Sequence, residues 1–344
     1  MAEIEPPLEE RYNELKKEEL NGRRTIEADE EVIEECEEEI ELPVIDLGQL
    51  KKGNLEREKC KKEIVEAAMN WGFFQVINHG VAEKVLNAMI NEQKKVFNQP
   101  FVNKSLSTNF LNLPSTHYRW GNPVAISSSQ ISWSEAFHIP VLEVSTSHHH
   151  ITLRTTMEGV VKKLGSLAEK ISEILGQSLG IKSNYFKERC EKGKSSFRMN
   201  RYPPCPIASQ VYGLIPHTDT DYLTILYQPQ ISGLQLKKSA KWFPVKPNPR
   251  ALLLNIGDLF QVVSNDIFRS LKHRVVASEG VERYSFAYFY CPSDDVIIES
   301  WLKPSIYKHF SYKEYRQQIE KDVEKTGNKV GLSRFFLHNI ALPH

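Results

Sequence analysis

Two histidines and an aspartate in the C-terminal half of the chain have the types and the spacing to hold a metal ion. His217-Thr218-Asp219 sets an imidazole and a carboxylate at i and i+2, and on an extended backbone alternate side chains leave the same face. A third ligand has to come from another strand, and His273, at the head of His273-Arg274-Val275-Val276, is the natural candidate. Two imidazoles and one carboxylate occupy one face of an octahedron and leave the other positions open, which suits Fe(II) that must also take a chelating cosubstrate and dioxygen. The same set also suits an open zinc site of a hydrolase. An isolated His-x-Asp is more often a turn with a capping aspartate, so its context decides. That context is Arg283-Tyr284-Ser285, which repeats the i, i+2 placement with a guanidinium and a hydroxyl. Together they can grip a carboxylate through a planar fork and one further bond, a role that a hydrolase does not explain. The bland alternative is a surface arginine on an edge strand, whereas Tyr284, Phe286 and Tyr288 argue for a core strand whose arginine needs an anion.

These residues have to be positioned by a β-rich framework. After Ser195 come short runs punctuated by Pro, Gly and Asn: 197–202, 222–227, 234–236, 242–245, 251–256, 273–277, 284–290 and 296–298. Such spacing predicts an antiparallel barrel or double-sheet jelly roll, mainly β with supporting helices. Apolar residues at Val160, Val161, Leu164, Leu167, Ala168, Ile171, Ile174 and Leu175 predict a long amphipathic helix over 155–179 that buttresses a sheet. A final helix is expected from Ser311 to about Lys325. Upstream, 42–47 and 72–77 read as strands, and 55–71 and 81–97 as helices, while 98–151 loses periodicity. The division is then an acidic flexible leader over 1–41, a mixed α/β helical extension over 42–150 and a helix-buttressed catalytic barrel over 151–344.

Composition narrows the partners. Lys plus Arg and Asp plus Glu number 44 each, so no uniformly basic surface exists for nucleic acid. No apolar run reaches the roughly 18 residues of a membrane span, and the acidic N-terminus does not resemble a signal peptide. Five cysteines without a Cys-x-x-Cys pair fit reduced thiols in a cytoplasmic protein, with nuclear entry left open.

The constellation His217-x-Asp219, His273 and Arg283-x-Ser285, preceded by Asn200-Arg201-Tyr202-Pro203-Pro204-Cys205, resembles the plant-type 2-oxoglutarate and Fe(II)-dependent dioxygenases. The resemblance extends to Leu42-Pro43-Val44-Ile45-Asp46 and to the stretch from Trp71 to Gly80, and covers about Leu42 to Leu337. Within that family, the stretches 118–121, 131–138 and 223–228 are similar to gibberellin 2-oxidases, most of all to the type acting on C20 gibberellins. One departure is Arg201, where the family often has an aromatic residue. The resemblance implies Fe(II) on His217, Asp219 and His273, and 2-oxoglutarate on Arg283 and Ser285 with Asn200 and Tyr202 beside it. It implies that 2-oxoglutarate decarboxylation and O2 drive hydroxylation of a diterpenoid acid, with ascorbate supporting activity. Alternatives are a flavonoid or other specialised metabolite as substrate, or a non-catalytic barrel that binds a small carboxylate.

For the prime substrate the candidates are Arg198, Arg119, Tyr118, Trp120 and Trp133. Strand alternation puts Arg198, Asn200 and Tyr202 on one face, which ranks Arg198 ahead of Arg119; a structural ion pair is the competing reading of Arg198. The aromatic residues either line an apolar pocket or pack in a seam. His148-His149-His150 reads as a loop, and Cys205 as a small buried apolar group.

Overall fold

Most of the alternating runs become strands. The computed structural model describes residues 3–21, 39–106, 108–109, 111–146, 150–190, 193–229 and 231–337. The order opens with α1 (Leu8–Leu20), β1 (Val44–Asp46), α2 (Asn54–Trp71), β2 (Phe73–Ile77), α3 (Glu83–Phe97) and α4 (Phe101–Ser105). It continues with β3 (Tyr118–Trp120), β4 (Glu135–Pro140), α5 (Ile151–Ser178), α6 (Tyr185–Cys190), β5 (Ser196–Tyr202) and β6 (Tyr212–His217). Next come β7 (Leu223–Tyr227), β8 (Leu234–Lys238), β9 (Lys241–Pro244), β10 (Leu252–Ile256), α7 (Asp258–Val263), β11 (His273–Val276) and β12 (Arg283–Tyr290). A short pair, β13 (Ile297–Ile298) and β14 (Phe310–Ser311), leads into α8 (Tyr312–Thr326).

An eight-stranded sheet in the order β1-β2-β10-β7-β12-β5-β4-β3 faces a four-stranded sheet in the order β6-β11-β8-β9. All neighbours are antiparallel except β1 and β2. This is the expected jelly roll. The large sheet takes strands from both sides of residue 150, so the helical extension and the barrel share one continuous layer.

Alternation divides the large sheet chemically. Tyr284, Phe286, Tyr288 and Tyr290 of β12 join α2, α3 and α5 in one core, to which the eight apolar positions of α5 contribute. Burying each such Leu or Ile contributes about 1.5–3 kcal/mol, which fixes which face meets the helices. Arg283, Ser285, Ala287 and Phe289 therefore turn toward the small sheet. At one end of that inner space Phe73, Leu253 and Tyr202 pack against Leu234, Leu236 and Val275 of the small sheet.

Local signals explain the helix ends. α2 stops at Gly72, whose φ of +61° and closeness to the Arg269 carbonyl, 2.3 Å from where a Cβ would sit, admit only glycine. Ser311 and Glu314 form a capping box that starts α8.

Three readings change. Residues 118–120 and 135–140, within the segment without periodicity, are strands that extend the large sheet, because pairing with β5 supplies an order that no local pattern encodes. β6, which ends on His217, was not among the predicted strands. In the leader, α1 is docked rather than loose: Leu8, Tyr12 and Leu15 are buried against Ala125, Ile131, Trp133, Cys205 and Val211. Of the acidic run 29–41, residues 29–38 lie outside the described residues, as do His148 and His149. No helix among the described residues is long and apolar enough to cross a membrane.

Candidate active site

His217 and His273 face each other across the β6–β11 ladder, where they are register partners with ring centroids 4.3 Å apart. Asp219 lies beyond the end of β6, so the pair His217 and Asp219 is a strand end and a loop rather than one extended strand. The loop still brings Asp219 Oδ1 to 3.7 Å from the Nε2 of each histidine. One ligand atom from each of the three residues lies within 4.8 Å of the others, the only such group of three among the described residues.

Each ligand is oriented by a second contact. His217 Nδ1 is 2.8 Å from the Ile215 carbonyl and His273 Nδ1 is 3.1 Å from that of Leu271. A proton on each Nδ1 makes both bonds and leaves the Nε2 lone pairs for a metal. Burial and the neighbouring His273 push the His217 imidazole down to about 3, which keeps it neutral as a ligand must be. Asp219 Oδ2 accepts hydrogen bonds from Thr224 Oγ1 at 2.7 Å and Asn255 Nδ2 at 2.8 Å. Its other oxygen is thereby the one offered to a metal. Although burial opposes it, the two histidines and these donors hold the Asp219 carboxyl down at about 2. Behind it, burial and Asp219 push the Asp221 carboxyl well above its ordinary range. Asp221 Oδ2 lies 2.7 Å from Thr224 Oγ1, so the protonated acid can donate to the hydroxyl while that hydroxyl donates to Asp219.

The carboxylate grip is assembled on the facing sheet. Arg283 of β12 is the register partner of Tyr202 on β5, and Ser285 that of Asn200. All four are buried. Arg283 donates from Nη2 to Gln228 Oε1 at 2.7 Å and from Nε to the Ile231 carbonyl at 3.3 Å, and it lies over the Tyr202 ring. Its Nη1 is buried with no partner, and no carboxylate pairs with it among the described residues. A Cβ on Gly233 would stand 3.4 Å from Arg283 Cδ and 3.5 Å from Val275 Cγ1. Val275 is two residues from His273 on β11, which puts the arginine about one two-residue step, roughly 6.5 Å, along the barrel from the metal ligands. Asn200 links the parts, accepting from Arg198 Nε at 2.7 Å and lying 3.4 Å from Ser285 Oγ.

The register sorts the remaining candidates. Arg119 is opposite Ala136, which is opposite Asn200, so Arg119 shares the inner face with Arg198. Tyr118 and Trp120 leave β3 on the other face. Tyr118 donates to Glu135 Oε2 at 2.5 Å, and Trp120 packs edge-on to Phe101. Trp133 is buried beneath α1, with Nε1 donating to the Pro204 carbonyl. These three aromatic residues are seam packing, because strand parity and the α1 contact turn them from the cavity.

Several participants escaped the reading of the sequence. Thr224 and Asn255, single polar residues in the apolar runs 223–227 and 252–256, carried a signal in that very contrast. His138 and Phe289 also face inward, with ring centroids 5.6 Å apart and His138 opposite Arg198.

Comparison with known proteins agrees with this geometry. Residues 193–292 match the model of the 2OG-Fe(II) oxygenase superfamily, and residues 42–155 that of the N-terminal region of non-haem dioxygenases in morphine synthesis. Gibberellin 2-beta-dioxygenase 8 of Arabidopsis thaliana is 48% identical over 344 residues, covering 97% of this chain and 99% of its own. Gibberellin 2-beta-dioxygenase 6 of Oryza sativa subsp. japonica is 40% identical, with 88% and 86% covered. Among solved structures, JOX2 in complex with 2OG, Fe and JA superposes with a TM-score of 0.75 at 27% identity, covering 97% of this chain and 98% of that one.

Proposed function

The chain belongs to the 2OG-Fe(II) oxygenase superfamily, and from that premise we propose that it is a gibberellin 2-oxidase that inactivates C20 gibberellins by 2β-hydroxylation. The observation that carries the reading is Arg283, a buried guanidinium with an orphaned Nη1 beside the His217, Asp219 and His273 ligand set. A buried charge of that kind calls for an anion, and the distal carboxylate of 2-oxoglutarate is an anion of the right shape. In this reading His217, Asp219 and His273 hold Fe(II), Arg283 and Ser285 hold that carboxylate, and Tyr202 and Asn200 flank it.

Bound iron and 2-oxoglutarate supply the oxidising power: O2 is consumed, succinate and CO2 leave, and a C–H bond becomes C–OH. The chain's own residues position and exclude. The Nδ1 contacts of the histidines and the two donors on Asp219 Oδ2 hold the ligand atoms ready, so little reorganisation is needed when the metal enters. The apolar cluster around Phe73, Leu253 and Val275 keeps water from the closed end of the barrel. Arg198 and Arg119 face the inner space without a carboxylate partner among the described residues, which favours an acid over a neutral flavonoid. A metal-free carrier has no use for three convergent ligand atoms. A cytoplasmic location is part of the proposal, supported by the free buried Cys60, Cys190, Cys205 and Cys291.

The test is reconstitution with Fe(II), 2-oxoglutarate and ascorbate against C20 gibberellins, C19 gibberellins and flavanones, read by mass spectrometry. A 2-hydroxylated C20 product is expected. Conversion of a flavanone with no consumption of any gibberellin would overturn the substrate and leave the dioxygenase chemistry standing.

A further inference from the structure

A metal ligand on a strand inherits its position from the ladder, whereas one in a loop has to be held by other means. His217 and His273 are register partners across β6 and β11, but Asp219 lies two residues past the end of β6. Asp258, the first residue of α7, holds that loop twice. Its N–H donates to the Asp219 carbonyl at 2.9 Å, and its Oδ2 accepts from Thr218 Oγ1 at 3.1 Å. The N–H groups of Gly257 and Leu259 donate to the Tyr222 and Asp221 carbonyls, so three consecutive residues stitch the start of α7 to the ligand loop.

Asp258 is completed from the C-terminal part of the chain, beyond the residues 193–292 that match the superfamily. Tyr315 on α8 donates to Oδ2 at 2.5 Å. Lys329, three residues past the end of α8, donates to the same oxygen at 2.5 Å and to the Thr218 carbonyl at 2.8 Å. The Lys329 side chain is only 10% exposed and that of Asp258 3%, so water competes little for either. The backbone that carries the lysine is fixed as well. α8 ends on Gly327 with φ +72°, and Gln130 Nε2 donates to the Thr326 carbonyl at 2.8 Å. Thr218, between two ligands, is thus held at its carbonyl and its hydroxyl, and both contacts lead to the Lys329–Asp258 pair. A pair that only fastened α8 to the barrel would need neither contact.

We propose that Lys329 and Asp258 are positioning residues of the metal centre, holding Thr218 so that Asp219 presents its free oxygen beside His217. The proposal rests on the reading of His217, Asp219 and His273 as Fe(II) ligands and extends it to a residue outside the barrel. A loop released from this hold has to be reordered when the metal enters, and binding weakens accordingly.

The full-length chain is titrated anaerobically with Fe(II) against a competing chelator, and the visible absorption of the Co(II)-loaded protein reports the coordination geometry. Lys329→Met is expected to weaken Fe(II) by about three- to thirty-fold, somewhat less than the loss of a group bonded directly to a ligand. Thr218→Val keeps the shape without the hydroxyl and is expected to weaken it by about two- to five-fold. Both should alter the Co(II) spectrum. Asp322→Asn takes the charge from the Arg334–Asp322 pair, which also fastens α8 but does not touch the loop. It should lower the melting temperature and leave Fe(II) affinity and the Co(II) spectrum as in wild type. Lys329→Met or Thr218→Val with wild-type affinity and spectrum overturns the proposal, as does Asp322→Asn weakening Fe(II) as much as Lys329→Met. If Lys329→Met does not fold, Thr218→Val set against Asp322→Asn decides. Wild-type protein that binds no Fe(II) removes the ligand assignment and this proposal with it, whereas wild-type binding with unaffected variants removes the proposal alone.

Discussion

Arg198 and Arg201 stand three residues apart on β5, and their surroundings are opposite. Arg201 points away from the cavity into a closed charge cluster. It donates to Glu135 Oε1 at 2.7 Å, Glu282 Oε1 at 2.5 Å and Glu5 Oε1 at 3.0 Å. Glu135, wholly buried, also pairs with the buried Lys104 at 2.7 Å and accepts from Tyr118. Lys104 donates in addition to the Ile4 and Phe97 carbonyls, so the cluster ties the N-terminal segment to α3 and α4. Arg198, on the inner face, has a neutral amide as its hydrogen-bond partner. The protein completes the buried Arg201 with its own carboxylates and leaves Arg198, part-buried, with none among the described residues. Strand parity alone separates the two fates.

The largest effect expected on the inner side comes from the metal ligands. Asp219→Ala should bring bound iron and turnover to background, measured by metal analysis and product formation in protein whose circular dichroism is unchanged. Wild-type iron content would remove Asp219 from the ligand set.

On the outer side the expected loss is of stability rather than chemistry. Arg201→Met takes one partner from the buried Glu135, which keeps Lys104 and Tyr118, and should lower the unfolding free energy by about 1–3 kcal/mol, the cost of a lost charge-assisted contact. The 2-oxoglutarate affinity of the folded fraction should stay as in wild type. Denaturant melts and calorimetric titration together check this, and a changed cosubstrate affinity with intact stability would erase the contrast between the faces.

Arg283→Lys keeps the charge but loses the planar fork. It should weaken 2-oxoglutarate by about ten- to a hundred-fold in the dependence of turnover on cosubstrate. A shift confined to the prime substrate would move Arg283 to the other subsite.

Per pH unit, the smallest effect concerns protons. Burial, with Arg198 and Arg119 adding to it, pushes the His138 imidazole down to about 3 from an ordinary 6.5. As pH falls below about 6.5, the unfolded chain binds a proton there that the folded chain does not, so stability declines until pH nears 3. The slope from this one group is at most about 1.4 kcal/mol per pH unit. His138→Gln removes the linkage and should flatten the fall of melting temperature between pH 6.5 and 4, while an identical slope would locate the acid sensitivity elsewhere.

What the sequence disclosed follows the range of the interactions. Arg283 and Ser285 were legible because a two-residue repeat within one strand decides their common face, and His273 because it heads a β-branched run. The α5 positions were legible through their helical period. Tyr118 and Trp120 were not, since their side depends on how β3 meets β4, a non-local register. The docking of α1 was hidden for a related reason: among its charges only Leu8, Tyr12 and Leu15 are buried, and their partners lie more than a hundred residues away as well as nearby in space. Asp219 stands beside both histidines although the strand expected to carry it stops at His217.

The Arg201 cluster also bears on how this enzyme can diverge. An exchange of Arg201 for the aromatic residue common in the family removes the shared partner of Glu5, Glu135 and Glu282 in one step, and leaves Lys104 and Tyr118 to complete Glu135 alone. Such an exchange is therefore epistatic: its cost depends on which carboxylates stand at positions 5, 135 and 282 when it occurs. Arg198, on the inner face of β5, takes no part in that cluster, so an exchange there leaves the carboxylates paired as they are.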